Sequence, residues 1–164
     1  RMDHTVRETA KLQGDRFLVM LGAFDHETPG VLALADELIG PANYVARSVP
    51  YAQVTDYYRA ADVFVLSSLK EGFGRVYLES LMHGLPTIGH DHPVIRYVLG
   101  DVGVVADLDA PGRLAEALVR ELSTIQTPAL IAARRQSVRA RFAWEKIAAD
   151  YATMFRRCAD TPLS

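Results

Sequence analysis

Asp62-Val63-Phe64-Val65-Leu66-Ser67-Ser68-Leu69-Lys70-Glu71-Gly72-Phe73-Gly74-Arg75-Val76-Tyr77-Leu78-Glu79-Ser80-Leu81-Met82-His83-Gly84-Leu85-Pro86 changes its apolar spacing within one short run. Residues 62–67 hold the unbroken apolar run Val63 to Leu66, the pattern of a strand buried on both faces. A turn containing two glycines follows, and 75–84 then have helical spacing. Gly72 and Gly74 let the backbone approach a ligand closely. The free amides and positive dipole end of the next helix favour a phosphate, so a diphosphate could rest there. Glycines in a tight strand-to-helix connection serve the turn equally well and decide nothing alone. The acids add more: Glu71 lies in the turn beside the anion site and Glu79 eight residues on, inside the helix. Carboxylates beside a phosphate must be aimed at hydroxyls, because charge repulsion would otherwise weaken binding. Sugar hydroxyls are their natural partners.

Outward from this run, 17–22 repeat the doubly buried strand pattern, and shorter strands are predicted at 44–49, 87–89 and 102–106. Helical spacing occupies about 3–13, 29–39, 52–60, 75–84, 93–99 and 112–122. Strict alternation predicts an α/β domain, a Rossmann-like doubly wound parallel sheet with helices on both faces and its ligand crevice at the strand carboxyl ends. After 122 the pattern is helical only. Thr127 and Pro128 read as an N-cap with proline at the first helical position, and a closing helix covers 143–157. The whole chain, 1–164, reads as one domain with a core of about 3–158 and a short tail, Asp160 to Ser164, expected to fray.

Composition fits this. The 164 residues are 49% apolar, enough for one sizeable core, and a formal net charge of −2 gives no global drive toward nucleic acid or an anionic membrane. The single cysteine, Cys158, excludes an internal disulfide framework and fits a reducing, cytoplasmic location. No apolar run reaches the length needed to span a bilayer. The chain opens on Arg1, within a helical pattern, and is expected to be a fragment of a longer protein.

Glu71, Gly72, Phe73, Gly74 and Glu79, with Gly84 and Pro86 after them, resemble the Glu-x7-Glu motif of the group 1 retaining glycosyltransferases, built from two facing Rossmann-like domains in the GT-B architecture. Residues 57–67, Gly103-Val104-Val105 and Arg141-Phe142-Ala143-Trp144 are similar to further parts of the same donor-binding, C-terminal domain. The resemblance implies transfer of a glycosyl group from a UDP- or GDP-linked sugar to an acceptor hydroxyl, with retained configuration. Glu71 would bind hydroxyls of the transferred sugar. Backbone amides from Phe73 to Val76, including Gly74 and Arg75, would reach sugar or phosphate, and Glu79 would hold the ribose. Ser48-Val49-Pro50-Tyr51 stand where the family places the nucleobase, although a proline ending a strand reads as well structurally. Neither a metal nor another cofactor is expected, since helix dipole and basic side chains stabilise the departing diphosphate.

The family's domain begins with a further strand, in the middle of the sheet, and a loop whose arginine and lysine grip the diphosphate. Neither precedes Arg1 here. Weak donor binding by the chain alone is therefore expected, with the sheet rearranged or completed by a second copy in a homodimer. The acceptor site, for a glycan, lipid or small molecule, and any catalytic histidine belong to an absent N-terminal domain, so the fragment alone is expected to be inactive. Alternatives are a non-catalytic nucleotide-sugar-binding or regulatory module, a related sugar-nucleotide epimerase, or a structural interaction domain.

Four other features have competing readings. His90-Asp91-His92 is set aside as a metal site, because alternation would point the histidines apart and no third ligand is evident. Arg75 could face donor phosphates or merely solvate its helix start. Trp144 is expected to anchor the closing helix in the core. Arg134, Arg135, Arg139 and Arg141 are read as a solvated helix face, with peripheral binding to anionic lipid as the alternative.

Overall fold

The computed structural model describes residues 1–160, so the tail expected to fray lies, from 161 on, outside the described residues. In chain order the elements are α1 (Met2–Thr9), β1 (Leu18–Leu21), α2 (Thr28–Leu38), β2 (Tyr44–Arg47), α3 (Tyr51–Ala60), β3 (Phe64–Leu66), α4 (Arg75–His83), β4 (Thr87–His90), α5 (Pro93–Leu99), β5 (Val104–Ala106), α6 (Arg113–Ser123), α7 (Pro128–Phe142) and α8 (Trp144–Asp160). Every predicted strand and helix is present. Thr127 caps α7, its side chain accepting from Leu130 N at 3.3 Å with Pro128 at the first helical position.

All pairing is parallel, as the alternation requires, but the sheet is in two pieces. β1 pairs with β2, Leu18 opposite Tyr44 and Leu21 opposite Arg47. β3, β4 and β5 form the second piece, with Phe64 opposite Thr87 and Ile88 opposite Val104. The division falls in the middle of the strand series, where the sequence resemblance puts a further strand.

Period-two alternation sorts the strand side chains between two helix layers. Val65, Ile88, Val104 and Ala106 pack with Leu114, Ala117 and Leu118 of α6, while Phe64, Leu66 and Val105 pack with residues of α4, α5 and α7. In the smaller piece Leu18, Met20, Tyr44 and Ala46 face α1 and α2. The opposite face is poorly covered: Val19 and its neighbour Phe17 are exposed. The expectation that 17–22 is buried on both faces is therefore corrected, because helices cover only one side of β1.

α1 joins the two pieces. Val6 belongs to the β1–β2 core, Leu12 just beyond the helix belongs to the β3–β5 core, and Thr5 Oγ1 lies 2.6 Å from Ser67 Oγ at the end of β3. Glu8, only 2% exposed, accepts from Gly112 N at 3.0 Å and Ala115 N at 3.1 Å and pairs with Lys11. It caps α6 from another helix, since Gly112, the N-cap, has no side chain to do so. Burial pushes the Glu8 carboxyl up, but Lys11 and the two amides outweigh it and hold the carboxyl below its ordinary value.

The C-terminal helices overturn two expectations. Trp144 is 64% exposed and contacts Tyr151, with ring centroids 5.8 Å apart, because α8 packs chiefly on α7 and leaves its aromatic stripe outside the core. Nor do the arginines of α7 make one solvated face. Arg134 is buried and donates to Gly84 O at 2.9 Å, while Arg135 donates to Met82 O and His83 O, each at 3.2 Å. Arg141 donates to Val98 O and Tyr97 O. These three satisfy orphan carbonyls at the ends of α4 and α5, where the helix dipole also favours a cation.

Candidate functional site

The loop from Ser67 to Gly74 leaves the carboxyl end of β3, and Ser48 to Pro50 leave that of β2. Both expected ligand-binding segments therefore lie at the strand ends where an open parallel sheet places its crevice. Gly74 is the N-cap of α4 with φ +71°, a left-handed conformation, and a Cβ there would stand 2.5 Å from Tyr77 Cδ2. Glycine is obligatory at this position for backbone and packing reasons together. Gly72 differs: its φ is not left-handed and a Cβ would meet nothing within 4 Å. The space beside it is open.

No side chain caps α4, so its first amides have no side-chain acceptor, and Arg75 at its start is exposed without an ion pair among the described residues. Glu71 is half-buried and makes no hydrogen bond or ion pair among the described residues. Its charge acts on Tyr77, whose phenol is pushed up by burial and then by Glu71, and whose hydroxyl donates to Leu66 O at 3.3 Å. Phe73 leaves the loop in the other direction, edge-on to Phe142 at 5.6 Å. Val76 is half-buried in the first turn of α4.

Glu79 joins the two segments. Its Oε1 accepts from Tyr51 Oη and its Oε2 from Tyr58 Oη, each at 3.2 Å. Tyr51 is the first residue of α3, directly after Val49 and Pro50. The expected nucleobase segment and the expected ribose acid thus meet. Val49 also lines a cleft at the ends of β1 and β2 with Phe24, Arg47, Ser48, Gln53 and Tyr57. Glu71 and Glu79 lie outside that cleft. Tyr58 was not singled out from the sequence, yet the signal was present: Tyr51 and Tyr58 are seven residues apart, two turns along one helix face.

The His90-Asp91-His92 segment is used locally. His90 Nδ1 accepts from Leu108 N at 3.1 Å, Asp91 pairs with Arg96, and His92 Nδ1 accepts from Val94 N at 3.3 Å as the N-cap of α5. No group of three metal-ligating side chains occurs among the described residues, and no described helix is long and apolar enough to cross a membrane.

Known proteins are similar to this chain in sequence and fold. The family model described as glycosyl transferases group 1 matches residues 2–124. A D-inositol 3-phosphate glycosyltransferase of Thermobispora bispora is 36% identical over 134 residues, 77% of this chain and 31% of that protein. An O-antigen chain mannosyltransferase B of Escherichia coli is 30% identical over 97 residues, 59% of this chain and 26% of that protein. Among solved structures, a sucrose-phosphate synthase from Thermosynechococcus elongatus superposes with a TM-score of 0.81 at 25% identity, over 96% of this chain and 42% of that one. The chain spans about a third of the length of its first curated relative and under half of that structure. With the match covering most of its residues, the two strand-end loops and the α/β scaffold beneath them are those of a member of the group 1 glycosyl transferase family, to which this chain belongs.

Proposed function

We propose that this chain is the donor-binding, C-terminal half of a two-domain glycosyltransferase that moves a sugar from a nucleoside diphosphate to an acceptor hydroxyl with retention of configuration. The contact between Tyr51 and Glu79 carries this reading, because it unites the segment expected at the nucleobase with the acid expected at the ribose. Glu71, with no partner among the described residues, is the acceptor for hydroxyls of the transferred sugar. Between them, the amides of Phe73 to Val76 and the dipole end of α4 receive the diphosphate, with Arg75 exposed beside it. Open space at Gly72 lets the ligand reach the backbone.

In the reaction the bond from the anomeric carbon to the diphosphate oxygen breaks, and its electron pair leaves with the diphosphate. The acceptor oxygen bonds to the anomeric carbon and its proton ends on the departing diphosphate. α4 lowers the barrier by stabilising charge that develops on that leaving group. The acceptor, a glycan, lipid or small molecule, is held by a second domain across the cleft, and no metal takes part.

Titration with UDP, GDP and their sugar conjugates, by ligand-observed NMR sensitive to millimolar affinity, tests the proposal. One nucleotide binds selectively, Glu79→Ala abolishes that binding, and Glu71→Ala weakens only the sugar conjugate. If a folded protein carrying this chain together with a phosphate-gripping basic loop binds none of them, a structural or regulatory role remains.

A further inference from the structure

Two tyrosine hydroxyls converge on the Glu79 carboxylate, and they are held very differently. Tyr58 is 8% exposed, its ring stacked on His83 at 5.0 Å and tilted against Phe64 at 5.7 Å. His83 Nδ1 lies 2.8 Å from the backbone carbonyl oxygen of Glu79, so ring, helix and carboxylate are fixed to one another. Burial, and then the charge of Glu79, push the Tyr58 phenol up, and the group remains a protonated donor. Tyr51 is 71% exposed at the first position of α3. Its side chain needs only a rotation about its own bonds to leave Glu79.

A carboxylate has two oxygens with about four lone-pair sites, and a ribose cis-diol presents two O–H donors that together engage both oxygens. Tyr58 takes one site on Oε2 and aims the group. Tyr51 takes a site on Oε1 from the exposed side, the side from which a diol arrives. Resting on the reading of Glu79 as the ribose-binding acid, we infer that Tyr58 is a positioning residue for the Glu79 carboxylate and that Tyr51 is a displaceable hydroxyl, guarding Oε1 until a ribose diol replaces it. Once released, the Tyr51 ring stands beside Val49 and Pro50, where its face is available to a base.

The test compares UDP and GDP with their 2′-deoxy counterparts, which lack one hydroxyl of the diol. Wild type binds the preferred ribonucleotide about ten-fold more tightly than its deoxy form, as expected for a hydrogen bond to a charged group. Tyr58→Phe keeps the stacked ring but lowers that ratio toward one. Tyr51→Phe keeps the ring, removes the competing donor and tightens ribonucleotide binding by about two- to five-fold. In a Glu79→Gln background neither substitution changes the ratio.

If wild type prefers the ribonucleotide but Tyr58→Phe leaves the ratio intact, or Tyr51→Phe weakens binding, the inference falls while the donor-site reading stands. Equal binding of ribo and deoxy forms would remove Glu79 from the ribose and the inference with it. A folded protein carrying this chain together with a phosphate-gripping basic loop that binds no nucleotide at all refutes the donor reading itself. Circular dichroism melts establish that Tyr58→Phe is folded, and should it unfold, the exposed Tyr51→Phe and the Glu79→Gln pairing decide.

Discussion

Replacing Gly74 with alanine tests what the turn between β3 and α4 needs in order to fold. Gly74 has φ +71°, where an alanine costs about 1–2 kcal/mol from its Cβ alone. The new methyl would stand 2.5 Å from Tyr77 Cδ2 and 2.7 Å from Cε2, against a comfortable carbon separation of about 3.5–4.0 Å. The Tyr77 ring cannot yield. It is fully buried, tied to Leu66 O through its hydroxyl and set edge-on to Phe64 at 6.3 Å. Overpacking of this kind adds about 1–3 kcal/mol, for a total of about 2–5 kcal/mol. Urea unfolding followed by circular dichroism should show that loss as a lower midpoint with an unchanged slope. Gly72→Ala, whose Cβ meets nothing within 4 Å, is the control and should stay within about 0.5 kcal/mol of wild type or gain slightly. A Gly74→Ala loss below about 1 kcal/mol would refute the packing argument.

Glu8→Gln should destabilise the chain by about 2 kcal/mol at neutral pH, because the amide NH2 replaces one of the two oxygens that accept from Gly112 N and Ala115 N and sets a donor against a donor. The Glu8 carboxyl is held below its ordinary value, so its contribution is complete above the ordinary carboxylate range and is lost as pH falls through the folded-state value. Paired melts of wild type and Glu8→Gln should therefore converge on acidification; a gap that widens would contradict the assignment. Arg134→Met leaves the Gly84 carbonyl without its 2.9 Å donor and should cost about 2 kcal/mol. In a calorimetric scan this is a Tm lowered by roughly 4–8 °C, and no change would mean that water serves that carbonyl equally well.

The strands and helices were legible because glycines, prolines and changes of apolar period mark nearly every boundary: Gly22 after β1, Pro50 before α3, Pro86 before β4 and Pro93 at the start of α5. Burial was less legible. The 17–22 run has the composition of a doubly covered strand, but coverage depends on which neighbours a strand acquires, and among the described residues β1 has β2 as its only hydrogen-bonded strand. Trp144 misled for the same reason: an aromatic residue is apolar wherever it stands, and only the packing of α8 on α7 fixes its exposure. The basic run on α7 hid its role because the carbonyls that it satisfies lie some 40–50 residues away, at Met82 to Gly84 and at Tyr97 and Val98. In the site, the acids and glycines could be read from spacing. The spacing of Tyr51 and Tyr58 puts both on one face of α3, but that this face grips Glu79 could not be read, since it depends on how α3 packs beside α4.

Phe73 gives the ligand-facing loop a contact with the far end of the chain. Its ring meets Phe142, which also contacts the Tyr97 ring and the Arg141 guanidinium, 4.6 Å from the Phe142 centroid, and packs on the core shared by α4, α5 and α7. Two residues on stands Trp144, the sole tryptophan in the sequence, largely open to solvent. The chain thus has an intrinsic fluorophore at the start of α8, two residues beyond the ring that Phe73 meets and with Tyr151 as its own ring contact at 5.8 Å. Its emission reports, without any label, on how α8 sits against α7.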